Sequence, residues 1–412
     1  DAVLLACITA AVAAFAGSLA VGMRPGHFVF MLAALILALL AKGPVGLALP
    51  LLAMIVAYRM ARGERQISGR YFIWAGLVAA LAVLVFLAWA IPANNATGGM
   101  FKQKGIGIHV LGRMLAPMES HGGNYLLFLP YYLAIIAVAF FPWTLYLPAA
   151  LAALIQRRCA TSAGRAMVIG WAAPVVVFMS LVATKLPHYI LPAWPALALG
   201  VAAYAPRLEE FKPMPPSGWV RTGAVLFMVA GYGLAAGLII APWFLPMSGL
   251  RIPMFSLGLV LCAVTWCGRR LFNRNRHRTT VVFLAAAMMI VNLALAIGLM
   301  PPLEGYKVSA PMARAINRAV PREVPVAVFK YNEPSLYFYL DRPPIASLGS
   351  HQEVWRWANS AERGVLVIPR QDFDAVELQY GPLPLVFIAA TRGYNYSNGR
   401  AVDLVVMERG KR

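Results

Sequence analysis

Nine residues suited to handling an anionic leaving group are scattered through the first half of the chain: Asp1, Lys42, His109, Arg113, Glu119, His121, Lys185, His188 and Tyr189. Lysine, arginine, histidine and tyrosine donate short hydrogen bonds to phosphate oxygens, the charged ones most strongly. A carboxylate beside them can take the proton of an attacking hydroxyl while the cations stabilise charge building on the departing phosphate. Such a set suits group transfer from a lipid phosphate, because that leaving group needs no protonation. It works only if segments far apart in sequence meet, so the elements carrying these residues decide the matter.

Those elements read as membrane spans. The 412 residues are 60% hydrophobic and only 13% charged, with a mean hydropathy of +0.69, which excludes an ordinary soluble domain. The net charge of +20 is then no nucleic-acid signal, because it follows topology. Basic clusters at Arg59/Arg62/Arg65/Arg70, Arg157/Arg158/Arg165, Arg207/Lys212/Arg221 and Arg269/Arg270/Arg274/Arg276/Arg278 interrupt the apolar stretches on every second connection. The positive-inside bias places these in the cytoplasm and the remaining loops outside.

About ten spans result, over 2–22, 28–58 (two short helices), 71–91, 123–153, 166–184, 188–205, 221–241, 253–268 and 280–300. Residues 28–58 are too long for one untilted crossing, and Lys42-Gly43-Pro44-Val45-Gly46 breaks them in the middle. A single helix would strand Lys42 at the bilayer centre, at a cost of about 3 kcal/mol or more; two helices with an outward turn avoid it. The stretch 123–153 contains Pro130, Pro142 and Pro148 and is read as one kinked crossing. The outward loop 92–122 includes Ile108 to Leu115, which suits an interfacial helix.

Residues 1–300 are thus expected to form a polytopic α-helical membrane region, and 301–412 a small outward α/β domain. In that tail, strand candidates (Val324 to Phe329, Val365 to Ile368, Leu385 to Ala389, Val402 to Met407) alternate with helical ones (Pro311 to Ala319, Val354 to Ala361, Asp372 to Leu378). The four cysteines all precede it, so no disulfide framework is implied. The chain opens at Asp1 with no methionine and no charged flank before its first apolar run. That suits neither a signal peptide nor a natural start, and an N-terminal piece is expected to be missing.

Each site candidate also has an ordinary reading. Lys42 alone is equally a snorkelling lysine; Lys102 and Lys104 suit anionic headgroups; His109 and His121 suit plain loop histidines, and Glu119 a solvated acid. Tyr131 and Tyr132 read as interface-belt aromatics. Thr184-Lys185-Leu186-Pro187-His188-Tyr189 exceeds what joining two helices requires.

Asp1-Ala2-Val3-Leu4-Leu5, Lys42-Gly43-Pro44-Val45-Gly46, the His109/Arg113 and Glu119-Ser120-His121-Gly122-Gly123 loop, Phe141-Pro142-Trp143 and Lys185-Leu186-Pro187-His188-Tyr189-Ile190-Leu191-Pro192 together resemble bacterial membrane glycosyltransferases of the GT-C type. The aminoarabinose (lipid A) transferases and their protein-mannosyltransferase-like relatives are the most similar in pattern. The resemblance implies a polyprenyl-phosphate-linked sugar as donor and an inverting transfer on the periplasmic side of the bacterial inner membrane. The acceptor would be lipid A, another glycan or a protein. Arg113, Lys185 and Tyr189 would surround the donor phosphate with Lys42 and His109 near them, and Glu119, His121 and His188 would line the substrate pocket. Asp1 is similar to the family's second outward aspartate, and the principal catalytic aspartate would precede it. No cofactor is required by this reading, and a divalent metal is left open. Two other classes stay in view: a non-catalytic relative, marked by no acid in a first outward loop, and a lipid or sugar transporter (flippase). A transporter would place ionisable groups near the midplane, on helices related by repeats, whereas here they sit at the lip.

Overall fold

The computed structural model describes residues 1–22, 24–62, 69–115, 128–205, 217–244, 248–342, 345–360, 362–395 and 399–410. They divide into two compact units, Asp1–Gly237 with Gly258–Ile290, and Leu238–Leu257 with Val291–Arg412.

The first unit is helical throughout, as apolar surroundings demand, because a helix satisfies its backbone N–H and C=O groups within itself. It begins with α1 (Ala2–Val21), α2 (Pro25–Lys42), α3 (Pro44–Arg62) and α4 (Arg70–Ala96). A π-helical segment, Phe101–Gly112, runs into a single turn, α5 (Arg113–Leu115). Next come α6 (Tyr131–Ala139), α7 (Leu147–Ile155), α8 (Ser162–Leu181) and α9 (Trp194–Tyr204). The long helices α10 (Ser217–Phe244), α11 (Arg251–Asn273) and α12 (His277–Ala294) contribute residues to both units.

Burial follows the helical period. On α1, Leu4, Cys7, Ile8, Ala11, Val12 and Phe15 form one buried stripe, while Val3 and Val21 are exposed, an arrangement that leaves apolar side chains free to meet lipid. Among the described residues, eight helices are long and apolar enough to cross a membrane. The two further crossings expected from sequence are broken by proline. Stretch 123–153 splits into α6 and α7 around Phe140–Tyr146, with Pro142 unable to continue a hydrogen-bonded turn. Stretch 188–205 opens with the 3₁₀ segment Pro187–Ala193 and only then becomes α9. The reversal expected at Lys42-Gly43-Pro44 forms between α2 and α3.

In the second unit the chain passes through α13 (Met300–Glu304) and α14 (Ser309–Ala319), and then alternates strand and helix. Strands β1 (Val326–Phe329), β2 (Ala346–Leu348) and β3 (Gly364–Pro369) are parallel; β4 (Val386–Asn395) and β5 (Arg400–Arg409) form an antiparallel pair joined to β3 through β5. The order across the sheet is β2-β1-β3-β5-β4. Helices α15 (Pro334–Leu340), α16 (His351–Ala358) and α17 (Arg370–Tyr380) complete it. Alternate strand residues serve two cores: Val326, Val328, Val365 and Val367 pack with α14 and α15, while Ala327, Phe329, Leu366 and Ile368 pack with α16 and α17. All four strand candidates and all three helix candidates read in the tail are present. β2 and α15 were not legible, the first because it is three residues long and largely exposed, the second because it is a seven-residue helix.

Candidate active site

One polar cluster in the first unit brings together the ends of three segments. Asp1 is the N-cap residue of α1, yet its side chain makes no capping hydrogen bond; the carboxylate instead receives the ammonium of Lys42. Lys42 is the last residue of α2. It arrives there because Gly43 adopts φ 58°, a conformation that side chains with a Cβ disfavour, and Pro44 then starts α3. Gly46 completes the turn: a Cβ on it would lie 2.0 Å from the Ala38 carbonyl oxygen, so only glycine lets the hairpin close.

His188 and Tyr189 come from the 3₁₀ segment between α8 and α9. The His188 Nε2 lies 3.1 Å from Asp1 Oδ2, and the imidazole meets the Tyr189 ring edge to face at 5.0 Å. The Lys42 ammonium stands 4.7 Å from the centroid of that same ring, a cation–π distance. Two anchors hold the segment in place. Tyr132, fully buried, donates from its hydroxyl to the Leu186 carbonyl at 3.2 Å. Lys185, also buried, donates to the Met179 and Ser180 carbonyls where α8 ends, with its ammonium 5.6 Å from the Tyr132 ring. Burial lowers the Lys185 pKa from the ordinary lysine range.

Asp1, Lys42, His188 and Tyr189 line one open cavity with apolar side chains that include Leu4, Val45, Leu49, Phe178 and Leu191. Val110 and Met114 border it too, and the Met114 carbonyl accepts from the Ala183 N–H at 3.1 Å. The helical segment carrying His109 and Arg113 therefore runs along this cavity, although the side chains of those two lie outside the described residues, as do Glu119 and His121 altogether. Among the described residues no three His, Cys, Asp or Glu side chains are grouped to hold a metal ion. Chemically, the cluster offers one carboxylate, one ammonium, one imidazole and one phenol at the mouth of an apolar chamber, a fit for an amphiphile with an anionic head.

No family model matches the chain. It is 27% identical over 266 residues to an undecaprenyl phosphate-alpha-4-amino-4-deoxy-L-arabinose arabinosyl transferase of Pectobacterium carotovorum, covering 63% of this chain and 44% of the relative. The transferase of the same name from Edwardsiella ictaluri is 25% identical over 310 residues, 73% of this chain and 52% of the relative. The chain spans about half the length of the curated relatives it matches. In three dimensions it superposes on ArnT from Cupriavidus metallidurans bound to undecaprenyl phosphate with a TM-score of 0.69 and 20% identity, over 99% of this chain and 74% of that one. The apo form of that protein gives 0.66 and 21%.

The chain shares the GT-C fold of ArnT. It is a multi-pass membrane protein. Within this fold the structure unites four sequence candidates, Asp1, Lys42, His188 and Tyr189, and sets Lys185 against the end of α8. Tyr132 was missed: expected in the interface belt, it is fully buried beneath the turn it anchors. Its neighbour Tyr131 has the same local sequence signature, so only a partner 54 residues away separates the two.

Proposed function

We propose that the chain acts as a membrane glycosyltransferase moving a sugar from an undecaprenyl-phosphate-type donor to an acceptor hydroxyl at the periplasmic face of the inner membrane. One observation carries this reading: a compact Asp–Lys–His–Tyr cluster, assembled from three separate helix ends, opens onto an apolar cavity within an ArnT fold. The names of the relatives point to an aminopentose as the sugar and the resemblance to lipid A as the acceptor, with 301–412 standing on the periplasmic side.

Lys42, His188 and Tyr189, with Arg113 and His109 on the bordering helix and Lys185 behind the turn, take the donor phosphate, and the polyprenyl chain lies along apolar wall. The acceptor oxygen attacks the anomeric carbon from the face opposite the phosphate. Its bond forms as the carbon–oxygen bond to phosphate breaks, so the configuration inverts and the electron pair stays on the phosphate. The acceptor's proton passes to a carboxylate, for which Asp1 is the candidate in this cluster, with Glu119 and His121 as further pocket residues. The test is mass spectrometry of outer-membrane lipids and glycans from cells with and without the gene. Loss of one sugar-bearing species on deletion, restored by the wild-type gene and not by Arg113→Ala or Lys185→Ala, is the expected result; unchanged lipids and glycans on deletion refute it.

A further inference from the structure

The second unit contains a group of titratable side chains that the transferase reading leaves unused. In the order β2-β1-β3-β5-β4, β2 lies on one side of β1 and β3 on the other. The connections after β1 and β3 therefore leave in opposite directions at the carboxyl ends of the strands, the place where open α/β sheets receive ligands. Residues following β1, β2 and β3 converge there. Lys330 Nζ donates to Asp372 Oδ1 at 2.7 Å, and His351 Nε2 lies 3.0 Å from the same oxygen. The His351 ring packs 5.3 Å from that of Phe329, and the Lys330 ammonium stands 5.2 Å from it. At the same edge, Arg370 and Arg392 approach Asp403 at 3.4 and 2.8 Å.

Two features separate this group from a simple tie between a helix and a loop. Lys330 has φ 55°, a left-handed conformation that costs energy for any residue with a Cβ and persists only where its surroundings enforce it. The enforcement is visible: Tyr331, fully buried, places its hydroxyl 2.7 Å from Ser309 Oγ and donates to Glu333 Oε2 at 3.2 Å, while Ser335 donates to Glu333 Oε1 at 2.9 Å. A buried network thus fixes the backbone of a lysine whose side chain is 58% exposed. Asp372 is only 17% exposed. Burial alone would raise its pKa, but the hydrogen bonds and charges of Lys330 and His351 outweigh that and lower it, so it stays ionised and holds the two donors side by side.

We propose that this edge of the sheet is a binding site for a phosphate monoester, with Lys330 and His351 as direct donors, Arg370 as a flanking cation and Asp372 positioning the first two. Lys330, His351, Arg370 and Arg392 supply the donors at the edge, beside the carboxylates of Asp372, Asp403 and Glu353, and the exposed ammonium and half-buried imidazole can turn toward an incoming anion without breaking the sheet. Guanidinium and ammonium groups both make strong charge-assisted hydrogen bonds to phosphate oxygens. The monoester is carried by a soluble sugar phosphate or by a lipid headgroup, with the same recognition chemistry. The site is independent of the transferase reading and stands or falls without it.

Two arms test it on the full chain in phosphatidylcholine nanodiscs. One titrates glucose 1-phosphate and follows its ³¹P line width; the other adds phosphatidic acid to the lipid and counts retained lipid by native mass spectrometry. Saturable binding in one arm, weakened about tenfold in Lys330→Gln and in His351→Gln by loss of a charge-assisted contact, is expected, and the responding arm identifies the carrier. Arg363→Gln, which breaks an ion pair with Glu408 before β3 begins, should bind as wild type. His351→Gln leaves the strained Lys330 backbone alone and so covers misfolding of the other variant. Binding in neither arm, or wild-type binding by folded Lys330→Gln and His351→Gln, overturns the proposal.

Discussion

Replacing Lys42 by glutamine keeps most of the side chain's length and removes its charge from the cavity mouth, which separates a ligand-binding lysine from a merely snorkelling one. The side chains of Lys42 and Asp1 are 34% and 29% exposed, so water reaches both ends of their ion pair. Pairs of that kind contribute at most about 1 kcal/mol to stability, and Asp1 retains His188 Nε2 at 3.1 Å. The thermal unfolding midpoint should therefore barely move. A phosphate losing one charge-assisted hydrogen bond loses about 1.5–3 kcal/mol, equivalent to roughly 10- to 150-fold in affinity. Affinity for undecaprenyl phosphate, measured by native mass spectrometry in a fixed detergent, should fall by that factor, and the donor KM should rise with it. Asp1→Asn should behave in the opposite sense, lowering turnover with much less loss of donor affinity. A Lys42→Gln affinity within twofold of wild type, in protein of unchanged stability, would refute the assignment and leave Lys42 as an interfacial anchor.

Gly46→Ala should destabilise the protein by about 1–3 kcal/mol in thermal unfolding and lower turnover, because a Cβ 2.0 Å from the Ala38 carbonyl oxygen must push apart the hairpin that presents Lys42. Tyr132→Phe removes the hydroxyl that holds the Leu186 carbonyl and leaves the ring in place; a stability loss of about 1 kcal/mol with a drop in kcat larger than the change in KM is expected from steady-state assays. In the tail, Asp372 has a lowered pKa. A carboxyl held below its unfolded value contributes stability above that value, and the contribution is lost as pH falls through the folded one. Acid titrations of unfolding should show this loss below about pH 4, and Asp372→Asn should flatten it.

Local chemistry made most of the scaffold legible. Runs of apolar residues broken by arginine clusters specify helices that cross a bilayer, since a helix satisfies its backbone in hydrocarbon within a single segment. Lys42-Gly43-Pro44 specifies a reversal, because a left-handed glycine ends one helix and a proline begins the next. In the tail, alternating valines and leucines announce strands buried on both faces. These signals act within about ten residues, the reach of a helical turn or a strand.

Convergence was not written in any such window. Asp1 meets Lys42 across 41 positions and His188 from a third segment, Lys330 meets Asp372 across 42, and Tyr132 reaches Leu186 across 54. Which of two adjacent tyrosines is buried, or where a buried lysine such as Lys185 sends its ammonium, depends on the carbonyls and rings that distant helices bring alongside. Amino-acid pattern sets which faces must be hidden; only tertiary packing sets what they are hidden against, because the energy of each polar contact depends on a partner the local sequence does not contain.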